Sequence, residues 1–293
     1  MKFEGCFVAI VTPFSSDGTV DYKALQAHAS WMVEEGVSGI VVAGTTGESA
    51  TLNDEEKLGS MNAVWDAVSE RAVVVGGAGN NCTSESLAFI DRVNTEAKVH
   101  AIMSVVPYYN KPNQRGIIGH FDAILGRSKN PVVLYNVPGR TVVGMTVDTM
   151  AELATRDPVV AIKEASADLH ANAKLLPRLN GVSLLSGDDA TTMPFVAQGG
   201  HGTVSVVGNV APRLMSEMCA AAASGDLETA RRHNFQVAHL HDLMFRYPNP
   251  LPAKAVVSQL GFGGASVRLP LAQLDEAELR GVLADATKLE VTR

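Results

Sequence analysis

The chain has 293 residues, of which 46% are hydrophobic and 19% are charged, with a formal net charge of -7. This length and apolar content are sufficient for one large folded domain and argue against a disordered chain. Lys and Arg are scattered without a basic run, which argues against nucleic acids and anionic membranes as partners.

The start of the chain and the cysteines indicate the cellular compartment. Residues 1–13 lack a basic segment followed by an apolar one, and no stretch of about 18 apolar residues occurs anywhere. Cys6, Cys82 and Cys219 lie far apart without a Cys-x-x-Cys pair, so neither a disulfide framework nor a zinc site is indicated. We therefore expect a cytoplasmic protein without a metal ion.

Short apolar runs rich in β-branched residues alternate with amphipathic segments along the first 224 residues. Eight runs are predicted as strands, over residues 7–11, 39–43, 72–75, 101–106, 131–135, 159–163, 183–186 and 202–207. The segments between them carry helix signals: Asp21 precedes one helix that Gly36 closes, and Asn53 with Glu56 forms a capping box that opens the next.

Apolar strands connected by helices predict a parallel sheet that helices cover. Eight such units predict an α/β fold of the (β/α)8 TIM-barrel type over residues 1–224, and a doubly wound open sheet is the alternative. From about residue 225 the pattern is helical without further strands, and the sequence PNPLP over 248–252 interrupts it. Residues 225–293 are therefore predicted to form a C-terminal helical subdomain.

The reactive side chains of a (β/α)8 barrel lie at the carboxyl ends of the strands and in the loops that follow. Small and polar residues are concentrated at these positions, in residues 44–49 (GTTGES), 107–110 (PYYN), 135–140 (YNVPGR) and 163–164 (KE). We expect the active site at this end of the barrel.

Lys163 follows the apolar residues 159–162, so its amine is expected at the mouth of an apolar core, where lysine is rarely found. Removal from water favours the neutral form of a lysine amine, which is the form that attacks a ketone carbonyl. Two structural alternatives are a side chain that reaches from the strand end to solvent and one that is paired with Glu164.

Other side chains at these ends suit the same chemistry. Tyr135, one strand earlier, carries a hydroxyl that can donate and accept a proton. Thr45 and Thr46 offer hydroxyls and backbone N–H groups to a carboxylate or a proton relay, and Arg140 offers a guanidinium to a second carboxylate. Each has a structural alternative: a core tyrosine, an ordinary tight turn and a surface ion pair.

Two further patterns receive little weight. Residues 77–82 (GAGNNC) resemble a dinucleotide-binding turn but lack its third glycine, and they follow the third strand rather than the first. Asp188 and Asp189 are adjacent carboxylates, which we interpret as residues near a helix N-terminus or behind the site rather than as metal ligands.

Several motifs in one order resemble the dihydrodipicolinate synthase family, within the wider group that includes N-acetylneuraminate lyase. The resemblance extends nearly from end to end. It is carried by residues 5–13 (GCFVAIVTP), 44–52 (GTTGESATL), 107–112 (PYYNKP), 134–141 (LYNVPGRT), 162–165 (IKEA), 186–189 (SGDD) and 249–254 (NPLPAK).

The resemblance implies a lyase that condenses pyruvate with L-aspartate 4-semialdehyde on the lysine and diaminopimelate branch, without an external cofactor. It implies that Lys163 forms an imine with pyruvate. It further implies that Tyr135, Thr45 and Tyr109 form a proton relay, with Tyr109 reaching into the site of a neighbouring subunit. A homodimer or a homotetramer built as a dimer of dimers is expected.

The resemblance also assigns the binding of the substrates. Thr46 would hold the pyruvate carboxylate, the backbone at Val204 would line the pocket, and Arg140 would bind the carboxylate of the semialdehyde. Arg140 is the residue that chiefly favours the synthase over a pyruvate-dependent aldolase or lyase for a 2-keto sugar acid. A catalytically silent relative that only binds a 2-oxo acid is the remaining alternative.

A regulatory site in the family is matched only in part. Ser49, Asn81, Glu85 and Tyr108 match its residues, but family members that lysine inhibits tend to carry histidines just after the 44–52 motif. This chain has Asp54 and Lys57 there. We therefore expect weak or absent inhibition by lysine.

Overall fold

Eight parallel strands close into a barrel in chain order, and the last strand pairs with the first. They appear in a computed structural model that describes residues 2–293. The strands are β1 (Gly5–Ala9), β2 (Gly39–Val42), β3 (Val73–Gly77), β4 (Ala101–Val105), β5 (Val132–Asn136), β6 (Val159–Glu164), β7 (Ser183–Ser186) and β8 (Gly202–Ser205). The predicted (β/α)8 TIM barrel is confirmed.

Helices follow the strands and surround the barrel. They are α1 (Tyr22–Glu34), α2 (Asp54–Val68), α3 (Thr83–Glu96), α4 (Gln114–Arg127), α5 (Pro138–Thr141), α6 (Val147–Leu153), α7 (Leu169–Leu175), α8 (Thr192–Ala197), α9 (Pro212–Ser224), α10 (Leu227–Met244), α11 (Leu251–Gln259) and α12 (Glu276–Lys288). Short 3-10 helices cover Leu176–Arg178 and Val207–Asn209. No helix within residues 2–293 is long and apolar enough to cross a membrane.

The helix-start signals in the sequence are present as hydrogen bonds. The Asp21 side chain accepts a hydrogen bond from the backbone N–H of Ala24 at the start of α1. Asn53 and Glu56 form the reciprocal capping box of α2, with distances of 2.9 and 3.0 Å. These contacts satisfy N–H groups that have no partner inside the helix.

Alternate side chains of each strand pack on opposite sides of the sheet. In β1, Phe7 and Ala9 join a cluster inside the barrel, together with Val41 and Leu185 from other strands. Val8, between them, belongs to the layer between the barrel and the helices. Both faces are apolar because helices cover the outside and side chains fill the inside.

The first and the last strand end earlier than predicted. The ladder of β1 starts at Gly5 and stops at Ala9, and the N–H of Val11 donates to the Asn209 side chain instead of a strand. The predicted eighth strand ran to residue 207, but the N–H groups of Val206 and Val207 donate to Asp189. An apolar run shows what is buried, not where the strand pairing stops.

The C-terminal helices α10 to α12 pack into the same apolar layer that surrounds the barrel. Val237, Val256 and Val282, one from each helix, are buried in it. These helices therefore share a core with the barrel, and one edge of the candidate site is built from them. The boundary at residue 225 stays a prediction.

Candidate active site

A cavity of about 760 Å³ opens at the carboxyl ends of β2 to β5. Its lining includes Thr45 after β2, Met103 in β4, Tyr135 in β5 and Asn249 just before α11. This is the end of the barrel at which the sequence predicts the active site. The strand ends and the C-terminal helical region therefore form it together.

Lys163 lies near the end of β6, directly opposite Tyr135 in the register of β5 and β6. The residue is 6% exposed, and its Nζ atom lies 4.3 Å from the centre of the Tyr135 ring. Within residues 2–293 its amine has no ion pair, because the neighbouring Glu164 accepts hydrogen bonds from Asn136 and Ser166 instead. Neither structural alternative for Lys163, pairing with Glu164 or extension into solvent, describes this lysine.

Gly187, after β7, leaves space for the Lys163 side chain. A Cβ atom at Gly187 would lie 3.0 Å from Cε of Lys163 and 2.5 Å from Cβ of Ala165. Glycine at this position therefore permits the backbone after β7 to approach the lysine closely. Nothing in the SGDD motif alone indicates this role for the glycine.

Tyr135 is buried at its ring and lines the cavity. Its hydroxyl was expected near the Lys163 amine, and the contact present is between that amine and the face of the ring. A cation is attracted to such a face, so the contact restrains the amine beside the cavity. The tyrosine is a core residue and a cavity residue at once.

Thr45 lines the cavity, whereas Thr46 is buried behind it. Oγ1 of Thr46 accepts a hydrogen bond of 3.0 Å from Nδ2 of Asn249. This bond ties the turn after β2 to the start of α11. Asn249 belongs to the NPLPAK motif, and its contact with Thr46 could not be predicted because 203 residues separate the two.

The other predicted site residues occupy different surroundings. Arg140 lines the cavity. It lies in the short helix α5, whereas a loop was expected there. Tyr109 is 85% exposed with a backbone φ of 73° and does not line the cavity of its own chain, although Tyr108 does. Val204 is buried inside the barrel, where it pairs with Phe7.

The predicted regulatory residues lie partly at the outer end of the same cavity. Ser49, Glu85 and Tyr108 line it, and so do Asp54 and Lys57. The Lys57 amine lies 3.8 Å from the Asp54 carboxylate, so an ion pair occupies the positions where lysine-inhibited family members are expected to carry histidines.

Asn81 is the exception among these residues. It does not line the cavity, and its backbone oxygen accepts a hydrogen bond of 2.9 Å from the Asn110 side chain. The preceding residue, Asn80, does line the cavity and donates to Glu85 at 2.7 Å.

Lys254 is the alternative lysine for imine formation. Burial lowers its pKa, an effect that the Glu48 carboxylate opposes. However, its side chain is fully buried and its amine lies 2.6 Å from Glu48, whereas Lys163 has no ion pair within residues 2–293. Neither lysine lines the cavity itself. A lowered pKa alone would favour Lys254 as the nucleophile, but its burial and its ion pair leave no approach for a substrate.

The two adjacent aspartates hold backbone groups. Asp189 is buried, which raises its pKa, and it accepts hydrogen bonds of 2.9 Å from the N–H groups of Val206 and Val207. Asp188 accepts a hydrogen bond from the N–H of Thr191 just before α8. The interpretation of these residues as helix N-terminal partners agrees with this geometry. Among residues 2–293 no three His, Cys, Asp or Glu side chains are grouped to hold a metal ion.

Comparisons with known proteins give one family. Residues 2–289 match the sequence profile of the Dihydrodipicolinate synthetase family. A 4-hydroxy-tetrahydrodipicolinate synthase from Neisseria gonorrhoeae is 43% identical over 290 residues, which cover 98% of this chain and 99% of the relative.

Solved structures agree with this result. A dihydrodipicolinate synthase from Acinetobacter baumannii in complex with pyruvate is 36% identical, with a TM-score of 0.95 over 99% of this chain and 100% of that one. A homologue from Cyanidioschyzon merolae with lysine bound is also 36% identical, with a TM-score of 0.94 over 99% of each chain. The agreement of sequence and fold over nearly the whole length shows that the chain belongs to the dihydrodipicolinate synthetase family.

Proposed function

We propose that the protein is a 4-hydroxy-tetrahydrodipicolinate synthase, which condenses pyruvate with L-aspartate 4-semialdehyde in lysine and diaminopimelate biosynthesis. The names of the full-length relatives support this function. The observation that carries it is the buried, unpaired amine of Lys163 against Tyr135, beside a cavity that Arg140 also lines. Lys163 does not itself line the cavity, but its amine contacts Tyr135, which lines it together with Arg140, so a nucleophile and a carboxylate-binding group are grouped as the two substrates require.

The reaction follows from the chemistry of the amine. Neutral Lys163 attacks the carbonyl carbon of pyruvate, and loss of water gives an imine. The imine makes the methyl protons of pyruvate acidic, and loss of one proton gives an enamine whose carbon attacks the aldehyde. The amino group of the semialdehyde then attacks the imine carbon, closes the ring and displaces Lys163. No external cofactor is needed for these steps.

Proton transfer and carboxylate binding are assigned to the residues around Lys163. Tyr135 and Thr45 line the cavity and carry hydroxyls that can donate and accept protons. We assign them to a relay that Tyr109 completes from a neighbouring subunit. We assign the pyruvate carboxylate to Thr46 and the Val204 backbone, which, like Lys163, are not among the residues that line the cavity.

Arg140 distinguishes this function from that of a 2-keto sugar acid aldolase. A guanidinium binds a carboxylate bidentately, and the semialdehyde carries a carboxylate that a sugar aldehyde lacks. The test is pyruvate consumption with each aldehyde. We expect kcat/KM to be at least about 10²-fold higher for the semialdehyde than for a sugar aldehyde, because a polar site left unpaired rejects the analogue. Equal or reversed preference would instead support the sugar acid enzyme.

We also propose that the protein acts in the cytoplasm as a homodimer or as a homotetramer built from two dimers. Tyr109 is 85% exposed and does not line the cavity of its own chain, which suits a residue that completes the relay of a neighbouring subunit. Sedimentation velocity measures the assembly, and a monomer at assay concentrations would contradict it.

Feedback by lysine is expected to be weak. Asp54 and Lys57 line the cavity as an ion pair where family members that lysine inhibits tend to carry histidines, so those histidines are replaced by groups that already bind each other. At millimolar lysine we expect less than half of the activity to be lost. An inhibition curve with saturating pyruvate measures this, and strong inhibition would reject the expectation.

A further inference from the structure

The two residues that follow the Tyr135 and Lys163 pair form a second, buried pair. Asn136 and Glu164 are opposite each other in the register of β5 and β6 and are each 3% exposed. Nδ2 of Asn136 donates to Oε2 of Glu164 at 2.6 Å. Because side chains alternate along a strand, this pair lies on the opposite side of the sheet from Tyr135, and neither residue lines the cavity.

Every nitrogen and oxygen atom of the two side chains has a hydrogen-bond partner. Oε1 of Glu164 accepts a hydrogen bond of 2.6 Å from the N–H of Ser166. Oδ1 of Asn136 accepts one of 2.8 Å from the N–H of Met145. Two donors point at the carboxylate, so its ionised form fits the site although burial raises the pKa of Glu164. The carboxylate in turn fixes the orientation of the Asn136 amide.

The hydrogen bond from the N–H of Met145 to the Asn136 side chain closes a loop in the chain. The segment over residues 137–144 begins directly after Asn136 and ends at Met145, whose N–H returns to the Asn136 side chain. Arg140 lies in this segment. Glu164 therefore connects the segment that carries Arg140 to the strand that carries Lys163.

We propose that Asn136 and Glu164 are positioning residues that hold Arg140 at a fixed place relative to Lys163 and so determine the binding of the aldehyde substrate. This inference rests on the proposed function, in which Arg140 binds the carboxylate of the semialdehyde. The pair touches neither substrate. It acts on the second substrate because the loop it closes carries Arg140, whereas Lys163 is held by the β5 and β6 ladder itself.

Exchange of the two side-chain types tests this directly. In Glu164→Gln, the amide has one acceptor for the two donors of Asn136 and Ser166, so one donor faces an N–H group. In Asn136→Asp, two carboxylates face each other. In the double variant Asn136→Asp with Glu164→Gln, the new carboxylate accepts from the N–H of Met145 and from the new amide, whose oxygen accepts from the N–H of Ser166. The double variant restores every donor and acceptor with the same total charge.

The measurements are the KM for each substrate, kcat, and borohydride trapping of pyruvate on Lys163. For each single variant we expect kcat/KM for the semialdehyde to fall about 10-fold to 100-fold, as displacement of a binding group by about 1 Å does. Pyruvate KM and trapping should stay within about two-fold, because the imine site is held by the ladder. The double variant should recover most of the loss. Glu152→Gln, an exposed exchange on α6, is the matched control and should behave as the unchanged protein.

The outcomes separate this inference from the proposed function. Normal semialdehyde kinetics in both single variants, no recovery in the double variant, or a parallel loss for both substrates would each overturn the positioning role. If the unchanged protein traps pyruvate but does not condense it with the semialdehyde, the proposed function fails, and the role of the pair fails with it.

Discussion

Lys163→Ala is expected to lower kcat/KM for the condensation by about 10³-fold or more, because it removes the covalent route altogether. The variant should fold normally. Lys163 has no ion pair within residues 2–293, and its amine contacts the face of the Tyr135 ring. Removal of the side chain therefore leaves no charged partner behind.

Trapping identifies the nucleophile independently of turnover. The protein is incubated with pyruvate and borohydride, weighed intact by mass spectrometry, and digested to locate the modified residue. We expect one reduced pyruvate adduct on Lys163 that is absent from Lys163→Ala. Lys174→Ala, at an exposed lysine of α7, is the matched control and should retain the adduct.

The position of the adduct decides between the alternatives. An adduct on Lys254 would mean that the buried pair with Glu48 opens to substrate and would remove Lys163 from the mechanism. No adduct in the unchanged protein would support a catalytically silent relative that only binds a 2-oxo acid.

The barrel could be predicted from the sequence because its strands are short apolar runs in a regular order. The third strand shows the limit of that pattern. It was predicted over residues 72–75, yet β3 continues through Gly76 and Gly77. A Cβ atom at Gly77 would lie 2.1 Å from the backbone oxygen of Ala43, so glycine is required there by the close approach of a neighbouring strand. Such an approach is invisible before the fold is known.

The candidate site also has a part that could be predicted from the sequence and a part that could not. The placement of Lys163, Tyr135, Thr45 and Arg140 could be predicted because each lies at or just after the carboxyl end of a strand and carries a group that suits the chemistry. Their supports could not be predicted, since Asn249 contacts a residue distant in the sequence. Glu164 was considered only as a possible partner of Lys163. Its bond to Asn136 depends on the register between β5 and β6, which the sequence does not specify.

The fixed position of the turn after β2 depends on a buried ion pair. The Lys254 amine lies 2.6 Å from Oε1 of Glu48, and both side chains are almost completely buried. Oε2 of Glu48 accepts a hydrogen bond of 3.1 Å from the N–H of Arg268, and the amine also lies 4.0 Å from the centre of the Phe14 ring. Glu48 lies three residues after Thr45 and two after Thr46, and Lys254 lies in α11. The ion pair therefore joins the candidate site to α11.

Lys254→Met is expected to lower the free energy of unfolding by about 3–5 kcal/mol, because it leaves the Glu48 carboxylate buried without its cation. This loss is large against a total of about 5–15 kcal/mol for a typical domain. Urea unfolding at neutral pH, followed by circular dichroism, measures it. Lys288→Met, at an exposed lysine of α12 that pairs with Asp285, is the matched control and should change the stability by less than about 1 kcal/mol.

The double variant Glu48→Gln with Lys254→Met separates the charge from the packing. Removal of both charges leaves a neutral amide that still accepts from Arg268, so most of the stability lost in Lys254→Met should return. The coupling energy from the double-mutant cycle should then be large and favourable to the pair, as for residues in direct contact. If Lys254→Met is as stable as the unchanged protein, water reaches Glu48 in the folded state. The turn after β2 would then be held by the Asn249 bond to Thr46 rather than by this ion pair.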